Sequence, residues 1–152
     1  MSILNTAIGE KLIPLVKPPI MQEQLQRYAE ASGDYNPIHL DEEAAHRVGL
    51  DSVIAQGMLS MAFLGQFIGQ HISDTPEALL TQLKVRFINM VRLGDTITCH
   101  GVVKARTTPR EGYESVAIEC WAQNQRGEQV TAGEAMVSIP LRRGRTKKEV
   151  KA

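Results

Sequence analysis

Residues 57–72 read GMLSMAFLGQFIGQHI, and this stretch decides the architecture. Met58, Leu59, Met61, Phe63, Leu64, Phe67, Ile68 and Ile72 fall around nearly the whole circumference of a 3.6-residue helix. Such a helix has no polar face to give to water and is expected to be buried. Gly65 and Gly69 lower its helix propensity, which is offset where another backbone passes close by. The expectation is a central core helix with a sheet curled tightly around it.

The chain beyond it supplies the sheet. LKVRFINMV (83–91) alternates Leu83, Val85 and Phe87 with Lys84 and Arg86. DTITCHGVVKAR (95–106) alternates Ile97, Cys99 and Val103 with Thr96, Thr98 and Lys104, and GYESVAIECWAQNQ (112–125) and EQVTAGEAMVSIP (128–140) follow in the same style. RLGD (92–95), TTPREG (107–112) and QRGE (125–128) carry the glycine, proline and polar residues of hairpin turns. No crossover helix separates these strands, which predicts an antiparallel meander. One apolar helix followed by such strands is an α+β arrangement of the hot-dog type. A curved sheet with open edges and an uncovered face is commonly closed by a second copy, so a homodimer or dimer-based oligomer is expected.

Upstream, Ile20, Met21, Leu25, Tyr28 and Ala29 share one face of a helix over residues 20–32 that Gly33 can stop. Asp41 can cap a short helix, EEAAHRVG, closed by Gly49. Between them lies SGDYNPIHLDEEAA (32–45), which sets Asp34, Asn36 and His39 around Pro37.

A chain of 152 residues with 43% hydrophobic residues suits one domain with a real core, here residues 1–141. The chain holds 17 basic and 17 acidic residues, of which six basic and one acidic stand in RRGRTKKEVK (142–151). That leaves 11 basic against 16 acidic before residue 142, so residues 142–152 read as a basic, solvated tail on an acidic body. An acidic body with few aromatics excludes nucleic acid as a partner. The N-terminus lacks the pattern of a secretory signal and no long apolar run occurs, so a cytoplasmic protein without a membrane partner is expected. Cys99 and Cys120 have no metal-type spacing and read as reduced core thiols.

The Asn36–Pro37 step biases Asn36 toward an extended backbone and allows Asp34 and His39 to converge. An acid and an imidazole in one small space can position a water and move two protons, the minimum for adding water to a double bond. The same residue types also build ordinary loops, and spacing alone does not separate the two readings. Gly57 adds a second element. It opens the apolar helix, where free N–H groups and the helix dipole favour a developing negative charge such as a thioester oxygen. A tight turn into the helix also calls for glycine.

SGDYNPIHLDEEAA together with VIAQGMLSMAF (53–63) resembles the MaoC-like hydratases, the (R)-specific enoyl-CoA hydratases and related hydroxyacyl-thioester dehydratases. The Asp34-x-Asn36-Pro37-x-His39 core carries the likeness, which is strongest from Tyr28 to Gln70 and continues loosely to Pro140. The resemblance implies Asp34 and His39 as the catalytic pair, Asn36 helping to hold the water, and Gly57 N–H on the thioester oxygen. One of the pair takes a proton from water attacking C3 and the other delivers a proton to C2. The preferred assignment has Asp34 as the base, though a coupled pair resists a single assignment. Gln56, Met58 and Ser60 are candidate substrate contacts. Many relatives carry histidine where this chain has Gln56, a departure that leaves the pair intact.

The reading calls for no cofactor, and His39, His46, Asp34 and Asp41 lack the spacing of a metal site. The implied partner is an acyl-CoA or acyl-carrier-protein thioester, whose phosphate Lys84, Arg86, Arg92 or the tail can meet. One alternative is a 3-hydroxyacyl-carrier-protein dehydratase subunit that needs a partner. Another is an acyl-CoA thioesterase, against which residues 52–73 offer no Asp or Glu.

Overall fold

A computed structural model describes residues 2–107 and 110–141. The basic tail at 142–152 and part of the predicted 107–112 turn lie outside the described residues. In chain order the elements are β1 (Leu15–Val16), α1 (Gln22–Ser32), α2 (Glu42–Arg47), α3 (Gly57–Ile72), β2 (Leu79–Phe87), β3 (Thr98–Arg106), β4 (Tyr113–Gln123) and β5 (Gln129–Pro140). The caps are those the sequence predicts. Gly33 closes α1 at a positive φ of 77°, and Asp41 accepts from the N–H groups of Glu43 and Ala44 at the start of α2.

The strands form one antiparallel sheet in the order β1-β3-β4-β5-β2, curled against α3 in the hot-dog fold. The predicted meander therefore holds for β3–β4–β5 only. β2 pairs with β5, so RLGD is not a hairpin but a turn on a path that carries the chain from the β2 edge across to β3, one strand short of the opposite edge. β1, which the sequence pattern does not announce, completes the opposite edge beside β3.

Leu59, Phe63, Leu64, Phe67 and Ile68 of α3 are buried against Ile97, Cys99, Val103, Ile118 and Ala135 of the sheet side. Each large apolar side chain buried this way contributes about 1.5–3 kcal/mol. The helix is not enclosed all round, since Met58, Ala62, Gln66 and Gln70 leave one face open. Nor, among the described residues, does a backbone approach Gly65 or Gly69, where an added Cβ would meet nothing within 4 Å. The close approaches fall in the strands instead. At Gly101 the ring of Phe67 would lie 2.8 Å from a Cβ, and at Gly133 the carbonyl oxygen of Lys84 occupies the place a Cβ would take. Glycine is required where helix and edge strand press on the sheet.

The crossing turn is held by Asp95, a buried carboxylate bonded to the Arg92 N–H at 2.9 Å, the Gln125 amide at 2.9 Å and the Arg126 guanidinium at 3.0 Å. Burial pushes its pKa up, but these donors outweigh it and hold Asp95 below its ordinary value of 3.8. A lowered folded-state value means that ionised Asp95 contributes stability above the ordinary value, and that this is lost as pH falls through the folded value. Thermal melts from pH 6 down to 3 should therefore show a steeper loss in the wild type than in Asp95→Asn. Equal slopes would show that the network adds nothing to folding.

Cys99 and Cys120 are free and buried, and burial, foremost, pushes each thiol up to about 12. They are core residues without thiolate chemistry.

Candidate active site

Two loops meet to form the site. In the first, Asn36 folds its side chain onto the backbone: Oδ1 accepts from the Ile38 N–H at 3.3 Å, while its own N–H donates to Asp34 Oδ1 at 3.2 Å. Pro37 then opens a single 3-10 turn, Pro37–His39, that turns His39 inward. Asp34 Oδ2 lies 3.5 Å from His39 Nε2. On the far side of the ring, Nδ1 lies 2.7 Å from the carbonyl oxygen of Ile54. A carbonyl only accepts, so Nδ1 carries hydrogen and Nε2 is the nitrogen free to gain or lose a proton. Ile54 N–H donates in turn to Ile38 O at 3.2 Å, which stitches the loops together by a reciprocal pair of bonds.

The second loop runs into α3. Leu59 N–H bonds the carbonyl of Gln56, the N-cap residue, at 3.0 Å. A trans peptide sets the next N–H antiparallel to that carbonyl, so Gly57 N–H points out of the helix terminus. Gly57 lines a cleft of about 230 Å³ with His39, Ile54, Ser60, Thr131 and the segment 87–91. Among the described residues no carboxylate lines this cleft.

Ser60 and Thr131 form a buried hydroxyl pair on the wall. Ser60 donates to Gly57 O at 2.8 Å and lies 2.5 Å from Thr131 Oγ1. A hydroxyl has one hydrogen, so Thr131 is the donor within the pair. Both hydrogens are spent inside the protein, and the pair shows the cleft lone pairs only. That leaves the α3 terminus to meet a negative oxygen.

The structure thus gathers His39, Gly57 and Ser60 on one cleft, with Asp34 touching it through His39 and Asn36 holding the loop. Gln56 and Met58 do not line it: Met58 is half-exposed, and Gln56 is buried beneath the loop. Sequence reasoning missed Thr131, the Ile54 carbonyl and the wall made by Phe87, Ile88, Asn89, Met90 and Val91. Burial, with the Asp34 carboxylate, raises the pKa of Tyr28, so its phenol stays protonated beside the pair. Among the described residues no three His, Cys, Asp or Glu side chains gather as a metal site.

A Cβ at position 57 would stand 3.3 Å from the Phe87 ring, which is half-exposed and has room to shift. Gly57→Ala is accordingly expected to fold with a stability change within about 1 kcal/mol while losing roughly tenfold or more in kcat/KM, because methyl and displaced ring fill the cleft. Unchanged kcat/KM would place the reacting atoms elsewhere.

An acid–imidazole pair beside a helix terminus in a mainly apolar cleft is an arrangement that can move protons next to a polarised carbonyl. Comparison with known proteins agrees. The MaoC like domain family model matches residues 4–119. The chain is 30% identical over 123 residues to an (R)-specific enoyl-CoA hydratase of Rhodospirillum rubrum, covering 81% of this chain and 82% of that one. It is 31% identical over 121 residues to a mitochondrial 3-hydroxyacyl-[acyl-carrier-protein] dehydratase of Arabidopsis thaliana, covering 78% and 69%. Among solved structures, an (R)-hydratase from A. caviae involved in PHA biosynthesis superposes with a TM-score of 0.77 at 26% identity, over 90% of this chain and 98% of that one. The chain belongs to the MaoC-like hydratase/dehydratase family, a family of hydro-lyases.

Proposed function

We propose that the chain hydrates trans-2-enoyl thioesters to (R)-3-hydroxyacyl thioesters and catalyses the reverse dehydration. The observation that carries this is the Asp34–His39 pair, 3.5 Å apart, with His39 pinned through Nδ1 so that only Nε2 works toward the cleft. In the active ion pair Asp34 is a carboxylate and His39 is protonated at Nε2. A water held between Asp34 Oδ2 and the Asn36 loop attacks C3 and gives its proton to Asp34. Electron density moves onto the thioester oxygen at the Gly57 N–H, a donor worth about 3 kcal/mol to that state. His39 then delivers the Nε2 proton to C2 on the same face. Transfer of the proton from Asp34 to His39 restores the pair, so one water is consumed and no other reactant is needed.

The thioesterase alternative is disfavoured because residues 52–73, which carry α3, hold no Asp or Glu to serve as base or nucleophile beside the carbonyl carbon. The Arabidopsis relative favours acyl carrier protein as an alternative carrier for the same chemistry. The active form is a homodimer in this reading. Among the described residues β2 is an edge strand, and Leu79, Phe87, Ile88, Met90 and Met58 expose apolar surface along it and beside the cleft. No helix among the described residues is long and apolar enough to cross a membrane. The test is enoyl absorbance, followed in parallel for crotonyl-CoA and the crotonyl carrier protein, with a thiol reagent in matched samples. The reading expects loss of the enoyl signal without free thiol; thiol release at the same rate would replace it with hydrolysis.

A further inference from the structure

Gln56 does not line the cleft, yet its side chain is fully buried between α1 and α3. Its Nε2 donates to the carbonyl oxygen of Leu25 in α1 at 3.1 Å, and that acceptor fixes which way the amide faces. The other end of the amide, Oε1, is buried without a partner among the described residues. An apolar side chain of the same length would leave no orphaned acceptor, so stability alone does not account for an amide here.

What the amide does hold is a piece of backbone. The Gln56 carbonyl is drawn into α3 by the Leu59 N–H, and its side chain is drawn to α1 by Leu25. The peptide plane between these anchors carries the Gly57 N–H. The same face of α1 grips the other half of the site, for Gln22, three residues before Leu25, donates its Nε2 to the His39 carbonyl at 3.2 Å. One helix thereby spaces the proton-transfer loop from the oxyanion donor.

We infer that Gln56 is a positioning residue: its hydrogen bond to Leu25 aims the Gly57 N–H at the thioester oxygen. The inference rests on the hydratase reading above. Two variants test it, with Asp34→Asn as the control for that reading. Gln56→Met keeps the length and removes both the donor and the orphaned acceptor. Gln56→His keeps a donor, because histidine Nε2 stands about as far from Cβ as glutamine Nε2 does.

With crotonyl-CoA as the substrate for the kinetics, Gln56→Met should melt at or above the wild-type temperature. Its kcat should fall about tenfold or more with KM held within about twofold. Gln56→His should recover kcat to within roughly threefold of wild type. A folded Gln56→Met with wild-type kcat overturns the inference, as does one that fails to fold, since the amide would then be structural. Gln56→His as slow as Gln56→Met overturns it too. If Asp34→Asn also keeps wild-type turnover, the assigned proton-transfer pair fails; if only Gln56→Met does, the positioning role alone fails; and a wild type that leaves the enoyl signal intact overturns the hydratase reading and the inference with it.

Discussion

Replacing Asp34 by Asn, or His39 by Ala, is expected to lower the hydration rate ~10²–10⁴-fold with the fold retained. Asp34→Asn keeps an oxygen to accept the Asn36 N–H, so the turn that presents His39 survives while the base toward water is gone. His39→Ala removes the group that spans Asp34 and the Ile54 carbonyl. Leaving that carbonyl without its donor adds about 1–3 kcal/mol of destabilisation, so its melting temperature should drop further than that of Asp34→Asn. Steady-state kinetics on crotonyl-CoA beside thermal melts check both. If either folded variant hydrated at the wild-type rate, the pair would have no part in proton transfer.

Gly133→Ala should have the largest effect on folding. Val85 of β2 sits opposite Gly133 in the ladder, and a Cβ there would lie 1.8 Å from the Lys84 carbonyl oxygen and 2.9 Å from the Val85 Cα. Both obstacles are backbone, so no rotamer relieves them and β2 must peel away from β5. Point mutations usually cost 0.5–3 kcal/mol, and about 4 kcal/mol or more is expected here. Because β2 ends at Phe87 on the cleft wall, any soluble Gly133→Ala protein should also be inactive. Urea unfolding gives the value, and a loss below about 1 kcal/mol would show that β2 and β5 do not pack as described.

What the sequence discloses and what it hides follow from how local each signal is. The bounds of α3 and the caps at Gly33 and Asp41 are legible because a helix writes its period and its ends into adjacent residues. The Asp34–His39 pair is legible because its turn is closed by neighbours, Asn36 and Pro37. Strand partnership is not local: RLGD records a turn, but nothing in it says that β2 will lie beside β5. β2 begins four residues before the alternating run, and residues 88–91 leave the ladder, because a strand at an edge lacks a second neighbour to extend its pattern. Glycine was likewise readable as a type but not in its role. Gly65 and Gly69 meet nothing, while Gly101 and Gly133 admit a ring and a backbone from elements distant in the chain. Thr131 shares a cleft with Ser60, 71 positions away, and no spacing rule connects them.

The most direct test is the product formed from crotonyl-CoA in D2O. Water added by the Asp34–His39 pair from one side of the substrate must place deuterium at C2 on the face that received oxygen at C3, and the proposed specificity makes the product the (R)-3-hydroxyacyl thioester. Deuterium on the opposite face would contradict the mechanism, and the (S) product the proposed specificity, even if hydration were fast.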